Sequence, residues 1–291
     1  MELAQTSRIN HVVARRHSRH VIEKIFWYIL LLILTLITVI PFLWIFLTSF
    51  KGPNDPILSV PPQLIPRDPT LANYVRVWNQ LPVGLFFLNS ITAAVFTTGL
   101  NVLVTALAAY PLAKMKFRGR DTIFYLLLAT LIVPIQLTYI PSFVLAVNVF
   151  HYYDTLLALI LPNLSNVFNI FLLRQAFKAV PDDLIDAARI DGASALRIWW
   201  SILLPVIRPS LAAVAIFTFV NSWNDFLWPS LMLHTRERMT LPVGLIALQG
   251  MFQSDFRGVA AGVTMTVIPI LIFFVALQRQ FIRGLSGAVK G

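Results

Sequence analysis

There is no cysteine anywhere in the 291 residues. That excludes a disulfide framework and any thiolate metal site. Charge is scarce as well: 12% of the residues are charged, against about 25% in a soluble globular domain. No G-x-x-x-x-G-K-[ST] run occurs, so no P-loop is available to hold nucleotide phosphates, and no H-E-x-x-H occurs either. The histidines are His11, His17, His20, His151 and His234, without metal-ligand spacing inside any apolar segment. No catalytic cluster emerges, so energy for active work has to come from another chain or from an ion gradient.

What is plentiful is apolar side chain, at 57% of the residues. It falls in blocks of roughly twenty, the length that crosses a hydrocarbon core of about 30 Å. The pattern predicts an all-α integral membrane protein with six spans near 25–49, 86–112, 122–147, 155–173, 209–232 and 259–278. Pro134, Pro141 and Pro162 interrupt the third and fourth, which membrane helices tolerate where neighbours satisfy the freed carbonyls. The first block runs longer than a signal-peptide core of roughly 7–15 residues, so an uncleaved first helix is expected. The expected domain organisation is an N-terminal arm over 1–24, a six-helix membrane body over 25–278 and a tail over 279–291.

The formal charge of +10 would suggest nucleic acid on a soluble chain. Here it points to topology, because Lys and Arg collect in cytoplasmic loops. With the N-terminus inside, 17 of the 23 Lys and Arg fall on the inner side and 6 outside. Both termini are therefore expected in the cytoplasm. Lipid is the expected surrounding and nucleic acid is not an expected partner. Two outer connections are long. Residues 50–85 are Pro-rich and fit either a partner-binding loop or a disordered one, and 233–258 are mixed in character.

The longest inner connection, 174–208, contains PDDLIDAARIDGASALRIWWSILLP from Pro181 to Pro205. Pro181 suits a first helical position. Asp182 and Asp183 favour the dipole of the first turn. Leu184, Ala187 and Ala188 form a small apolar stripe, and Gly192 ends the helix where φ > 0 is needed. Ser194 caps a second helix, Ile198, Trp199, Ile202 and Leu203 form its apolar face, and Pro205 limits it. Spacing alone leaves two readings open: a docking knob for another protein, or an interfacial hairpin packed under the bundle.

Asp186-Ala187-Ala188, Gly192 and Ile202-Leu203-Leu204-Pro205 together resemble the EAA loop of bacterial ABC-importer permeases, with Asp186 where the family usually has Glu. Val133-Pro134-Ile135-Gln136, Tyr153-Asp154-Thr155, Leu161-Pro162 and Trp223-Asn224-Asp225-Phe226-Leu227-Trp228-Pro229 look like carbohydrate-importer permeases. The ending from Gln278 to Gly291 is similar to the six-span permease subunit of maltose-type importers. The resemblance implies a permease moving a sugar-like solute by alternating access across the bacterial inner membrane. It implies a second homologous permease, a dimer of ATPase subunits holding ATP and Mg, and an extracytoplasmic solute-binding protein. It assigns Asp186, Ala187, Ala188, Gly192, Ile202, Leu204 and Pro205 to ATPase coupling, and sends the 284–291 tail into the ATPase dimer. The outer segment with Gln249, Met251, Phe252 and Gln253 would touch the binding protein. The same apolar residues fit a segment dipping into the outer leaflet.

Polar residues within spans are candidates for the solute path. Asn163, Asn166 and Asn169 recur every three residues on one side of the fourth helix. Interhelical hydrogen bonding explains them equally. Gln136 and Thr138 lie between two prolines, where a broken helix exposes carbonyls. Asn221, Asn224 and Asp225 gather at the outer end of the fifth span, where Asp225 is either functional or a cap. Trp27, Tyr28 and Trp228 have the character of interface anchors, and Trp199-Trp200 that of a headgroup-level pair. The rival class is a self-sufficient secondary transporter, which would carry inverted repeats and buried coupling carboxylates. A membrane enzyme would need a catalytic cluster that the sequence does not supply.

Overall fold

The structure, a computed structural model, describes residues 2–59, 63–251 and 256–289, with side chains described over 23–59, 63–246 and 256–275. Every regular element among them is helical. In chain order these are α1 (Glu2–Ser49), α2 (Ala72–Gln80), α3 (Val83–Lys114), α4 (Arg120–Ala129), α5 (Tyr139–Asn148), α6 (Leu157–Ile160) and α7 (Val167–Lys178). There follow α8 (Asp182–Ile190), α9 (Ala195–Ile198), α10 (Leu204–Val206), α11 (Arg208–Asn224), α12 (Leu227–Met232), α13 (Leu241–Met251) and α14 (Phe256–Val289). The helix α1 is continuous from Glu2 across residue 24.

Three stretches are long and apolar enough to cross a membrane unbroken: Glu23–Ser49, Val83–Lys114 and Phe256–Val275. Three more qualify only as bent pairs: Arg120–Ile132 with Ile135–Asn148 at 95°, Leu157–Asn163 with Val167–Lys178 at 46°, and Ala195–Val206 with Arg208–Asn224 at 80°. Each bend has a local cause. Val133 precedes Pro134 and is driven to an extended conformation (φ −79°, ψ 119°). Asn166 is extended too (φ −131°, ψ 130°) and starts α7 as its cap. Ile207 leaves the helical region (φ −92°, ψ 15°) just before α11, whose first turn takes Pro209. Pro141, expected to interrupt a span, sits harmlessly in the first turn of α5. Nor does Pro205 end its helix; it lies inside α10, after a π-helical stretch at Trp199–Leu203. The fifth span stops at Asn224 rather than running to residue 232, because Asp225 is extended (φ −65°, ψ 124°).

α3 is the central helix, packed against α7, α11 and α13, while α11 and α1 both lie along α14. In a bilayer lipid tails are as apolar as the core, so close packing has to hold helices together. α3 meets this with buried Ala93, Ala94, Ala106, Ala109 and Ala113. At the end where α3 finishes, Leu173, Phe177, Ile198, Trp199 and Leu203 pack onto these small residues. At the other end Phe86, Phe219, Trp223 and Leu241 form a second cluster. There Gly244 is required, since a Cβ on it would meet the Phe86 ring at 2.2 Å. Trp228 is no interface anchor: it is buried and donates its indole N–H to the Ala158 carbonyl at 2.8 Å, because the 225–226 break turns it inward.

The loop after α1 is ordered by charge. Lys51 is fully buried and donates to the carbonyls of Pro56 (2.9 Å) and Gln63 (2.6 Å). Asp55 accepts from the backbone N–H groups of Gly52, Arg67 and Asp68 at 3.2–3.3 Å. Arg257, at the start of α14, donates to the Pro53 and Asp55 carbonyls (3.0 and 2.8 Å). Across the same end Asp154, in the left-handed region at φ 55°, accepts from the backbone N–H groups of His234 (2.8 Å) and Thr235 (3.0 Å). The Thr235 hydroxyl and the Arg238 guanidinium complete that clamp.

Candidate functional site

The first two breaks and the far end of α11 meet around a cavity of about 630 Å³. α3 contributes Thr97 and Asn101, and the turn into α5 contributes Ile135, Thr138, Tyr139 and Ser142. The second break gives Asn163, Ser165, Asn166 and Asn169, and the end of α11 gives Thr218, Asn221, Asn224 and Asp225. Amide and hydroxyl groups predominate, with one carboxylate and, among these residues, no cation.

A buried polar network forms one wall. Asn169 Nδ2 donates to Asn101 Oδ1 (3.0 Å) and to Thr218 Oγ1 (3.1 Å). Asn101 Nδ2 donates in turn to the carbonyl of Asn163 (2.9 Å). Of the three asparagines spaced by three, only Asn169 is buried in the helix bundle. Asn166 caps α7, accepting from the Phe168 N–H at 2.8 Å, and Asn163 donates to Leu159 across the preceding turn at 2.9 Å. They do not share a side of one continuous helix, since the break falls between them, yet all three reach the cavity. Asn221, Asn224 and Asp225 reach it too; Asp225 also accepts from the Trp228 N–H at 3.4 Å. Gln136 does not: its neighbours Ile135 and Thr138 line the cavity, while Gln136 itself is exposed outside it. Asn101 and Thr97 were missed in the sequence. Thr97, Asn101 and Thr105 at four-residue spacing on one helix were the available signal, and all three are buried.

The hairpin lies at the finishing end of α3. α8 starts one residue later than expected, with Pro181 as its extended cap. It ends in a Schellman motif, Ala193 N–H to Ala188 O (2.9 Å) and Gly192 N–H to Arg189 O (3.0 Å), with Gly192 at φ 77°. Ser194 caps α9, accepting from the Arg197 N–H at 3.3 Å. Ile185, Ala188, Ile198, Trp199 and Leu203 are buried, and Leu204, Ile202 and Pro205 are half-buried. Asp186, Ala187 and Gly192 face outward. So do Ile190 and Trp200, 87% and 62% exposed.

Lys114 braces the hairpin to the bundle, and Arg174 ties α7 to α3 and α4 beside it. Arg174 is buried, donates Nε to the Leu112 carbonyl (3.0 Å) and Nη2 to Asp121 (2.8 Å), and stacks on the Phe124 ring at 3.7 Å. Lys114 donates to the Val180 carbonyl and to Asp182, each at 2.5 Å. That ammonium, through its hydrogen bond and charge, holds the Asp182 carboxyl below the ordinary carboxylate range.

Residues 21–287 match the family described as binding-protein-dependent transport system inner membrane component. The chain belongs to that family. It is 37% identical over 261 residues to the arabinooligosaccharide transport permease AraQ of Halalkalibacterium halodurans, covering 88% of this chain and 92% of that protein. The glycerol-3-phosphate transport permease UgpE of Yersinia pestis is 32% identical over 275 residues, 91% of this chain and 97% of the relative. The diacetylchitobiose uptake permease NgcG of Streptomyces coelicolor is 34% identical over 261 residues, 88% and 85% of the two chains. A bacterial ABC transporter involved in alginate import has the same fold, with a TM-score of 0.76, 24% identity, and coverage of 89% of this chain and 96% of that one. This permease is thus a multi-pass inner-membrane component of an ABC importer, which decides against a self-sufficient secondary transporter. Of the residues expected to face the binding protein, Gln249 and Met251 lie in α13 with their side chains outside the described set. Phe252, Gln253 and the side chains of the 279–291 tail are outside it as well.

Proposed function

We propose that this permease carries a sugar or similar polyhydroxylated solute through the polar cavity, by alternating access. In this reading six spans cross the membrane with both termini in the cytoplasm. The 182–205 hairpin docks on an ATPase dimer that holds ATP and Mg, the 284–291 tail enters that dimer, and a second homologous permease closes the open side of the cavity. An extracytoplasmic binding protein delivers solute near α13. The sugar class is supported by what relatives such as AraQ and NgcG are named for.

The observation that carries the reading is the cavity itself. Its volume of about 630 Å³ lies within the range of small-molecule sites, roughly 300–1,000 Å³. It sits where two of the bent spans are broken, the arrangement that places solute sites in transporters. Asn166, Asn221 and Asn224 offer donors and acceptors suited to hydroxyls. The test uses the complete importer in proteoliposomes with a cysteine introduced at Asn221, the native chain having none. Uptake of radiolabelled arabinotriose is followed before and after reaction with a water-soluble thiol reagent. Modification blocking uptake is the expected result. A fully modified but fully active importer overturns the cavity as the path.

A further inference from the structure

Two helices connect the cavity to the hairpin, and they are tied to one another at both ends. α3 carries Asn101 at the cavity and Lys114 in its last turn, roughly 20 Å further along at 1.5 Å per residue. α7 carries Asn169 in its first turn and Arg174 near its end. At the cavity the tie is Asn169 to Asn101, with Thr218 of α11 as third member. At the hairpin end the ties are Arg174 to the Leu112 carbonyl and Lys114 to Val180 and Asp182.

The braces fall where α3 needs them. Pro111 lies within the helix and has no N–H to give the preceding turn, which weakens the final turn. Leu112, bonded to Arg174 of α7, and Lys114, bonded to the hairpin, belong to that turn. A lysine present only to fix topology would stay solvated at the headgroups. The Lys114 side chain is instead 7% exposed while its partner Asp182 is 77% exposed. The ammonium is thus drawn under the hairpin rather than out to water, and spends two of its three donors on α8 and its approach.

We infer that Lys114 is a positioning residue that latches the hairpin to α3, so that α3 and α7 carry any displacement of the hairpin to the Asn101–Asn169–Thr218 network as one body. This rests on the hairpin being the ATPase dock. It assigns the buried asparagine pair a mechanical task, distinct from the solute contacts of Asn166, Asn221 and Asn224. It also makes the hairpin's first turn, rather than its Gly192 corner, the place where motion enters the membrane domain.

The test is run on the complete importer in proteoliposomes, reading arabinotriose accumulated per ATP hydrolysed. Lys114→Met is expected to leave complex yield and ATP hydrolysis in place and to lower solute moved per ATP about fivefold or more, the scale of a lost inter-site coupling. Lys114→Arg, which can reach the same acceptors, restores most of it. Asp182→Asn, the milder change that keeps the Val180 bond, gives a partial loss even if Lys114→Met fails to assemble. Docking is monitored separately with Ile190→Cys, a position 87% exposed, crosslinked to the ATPase. A normal crosslink together with parental coupling in Lys114→Met and Asp182→Asn overturns the latch. No crosslink in the otherwise unaltered importer overturns the docking reading and the latch with it.

Discussion

Gly192 and Asn101 mark the two limits of what single residues disclose in a sequence. The need for a left-handed residue at the corner of the hairpin was legible, because a helix ended there by pattern, and Gly192 does stand at φ 77°. A Cβ there meets no neighbour, so Gly192→Val costs backbone strain alone, about 1–2 kcal/mol. In the assembled importer it should shift the hairpin and lower transport relative to ATP hydrolysis while the subunit still inserts; paired uptake and ATPase assays check this. Asn101 was not legible, because an isolated amide in the middle of a 32-residue apolar helix carries no local pattern beyond Thr97 and Thr105. Its meaning comes from Asn169 and Thr218, 68 and 117 residues away in the chain. Asn101→Leu and Asn169→Leu should therefore be non-additive by roughly 0.6–2 kcal/mol in a double-mutant cycle of detergent-dependent unfolding. Gln136 shows the converse: a polar residue flanked by prolines attracted a role, and the 3-10 turn following Pro134 leaves it outside the cavity.

Among the elements, helices were easy to place and breaks less so. Pro134 marked the first break because proline constrains the residue before it. The third, at Ile207, falls where Pro205 and the end of the inner connection at 208 place it, but the second rests on the extended conformation of Asn166, a residue with no such constraint, so tertiary packing has to choose it. The Asp154 clamp is likewise an element-scale feature: nothing local says that residue 154 holds residues 234–238. Burial works against its carboxylate, but the hydrogen bonds from Thr235 and His234 and the nearby Arg238 outweigh it and hold Asp154 below the ordinary aspartate range. A group depressed in the folded state stabilises above its unfolded value, near 4, and the contribution is lost as pH falls through the lower folded value. Amide exchange at His234 and Thr235 should be slow at pH 7 and, after correction for intrinsic rates, gain protection loss only below about pH 4. In Asp154→Asn the same amides should be less protected at pH 7 and show no such transition.

At the scale of the whole molecule, the unbroken helices and the broken ones have different neighbours to satisfy. α1 exposes its apolar stretch almost entirely, and a regular helix can do so in hydrocarbon because its backbone bonds are internal. The 95° break cannot be treated alike. Leu131, Ile132, Val133, Ile135 and Leu137 are all more than half exposed there, on irregular backbone beside the open cavity. Lipid does not tolerate such backbone, whereas protein or a water-filled cavity does. The consequence concerns biogenesis. A copy synthesised in excess of its companions presents the membrane with a seam that only assembly closes, and quality-control proteases act on such seams. Pulse-chase labelling should find the chain short-lived when expressed alone and several-fold longer-lived when the proposed partner subunits are co-expressed. Equal lifetimes would mean that the isolated chain closes the break by itself. With the lone chain the shorter-lived, stoichiometry of the importer would be enforced by decay of unpaired subunits, with no need for matched rates of synthesis.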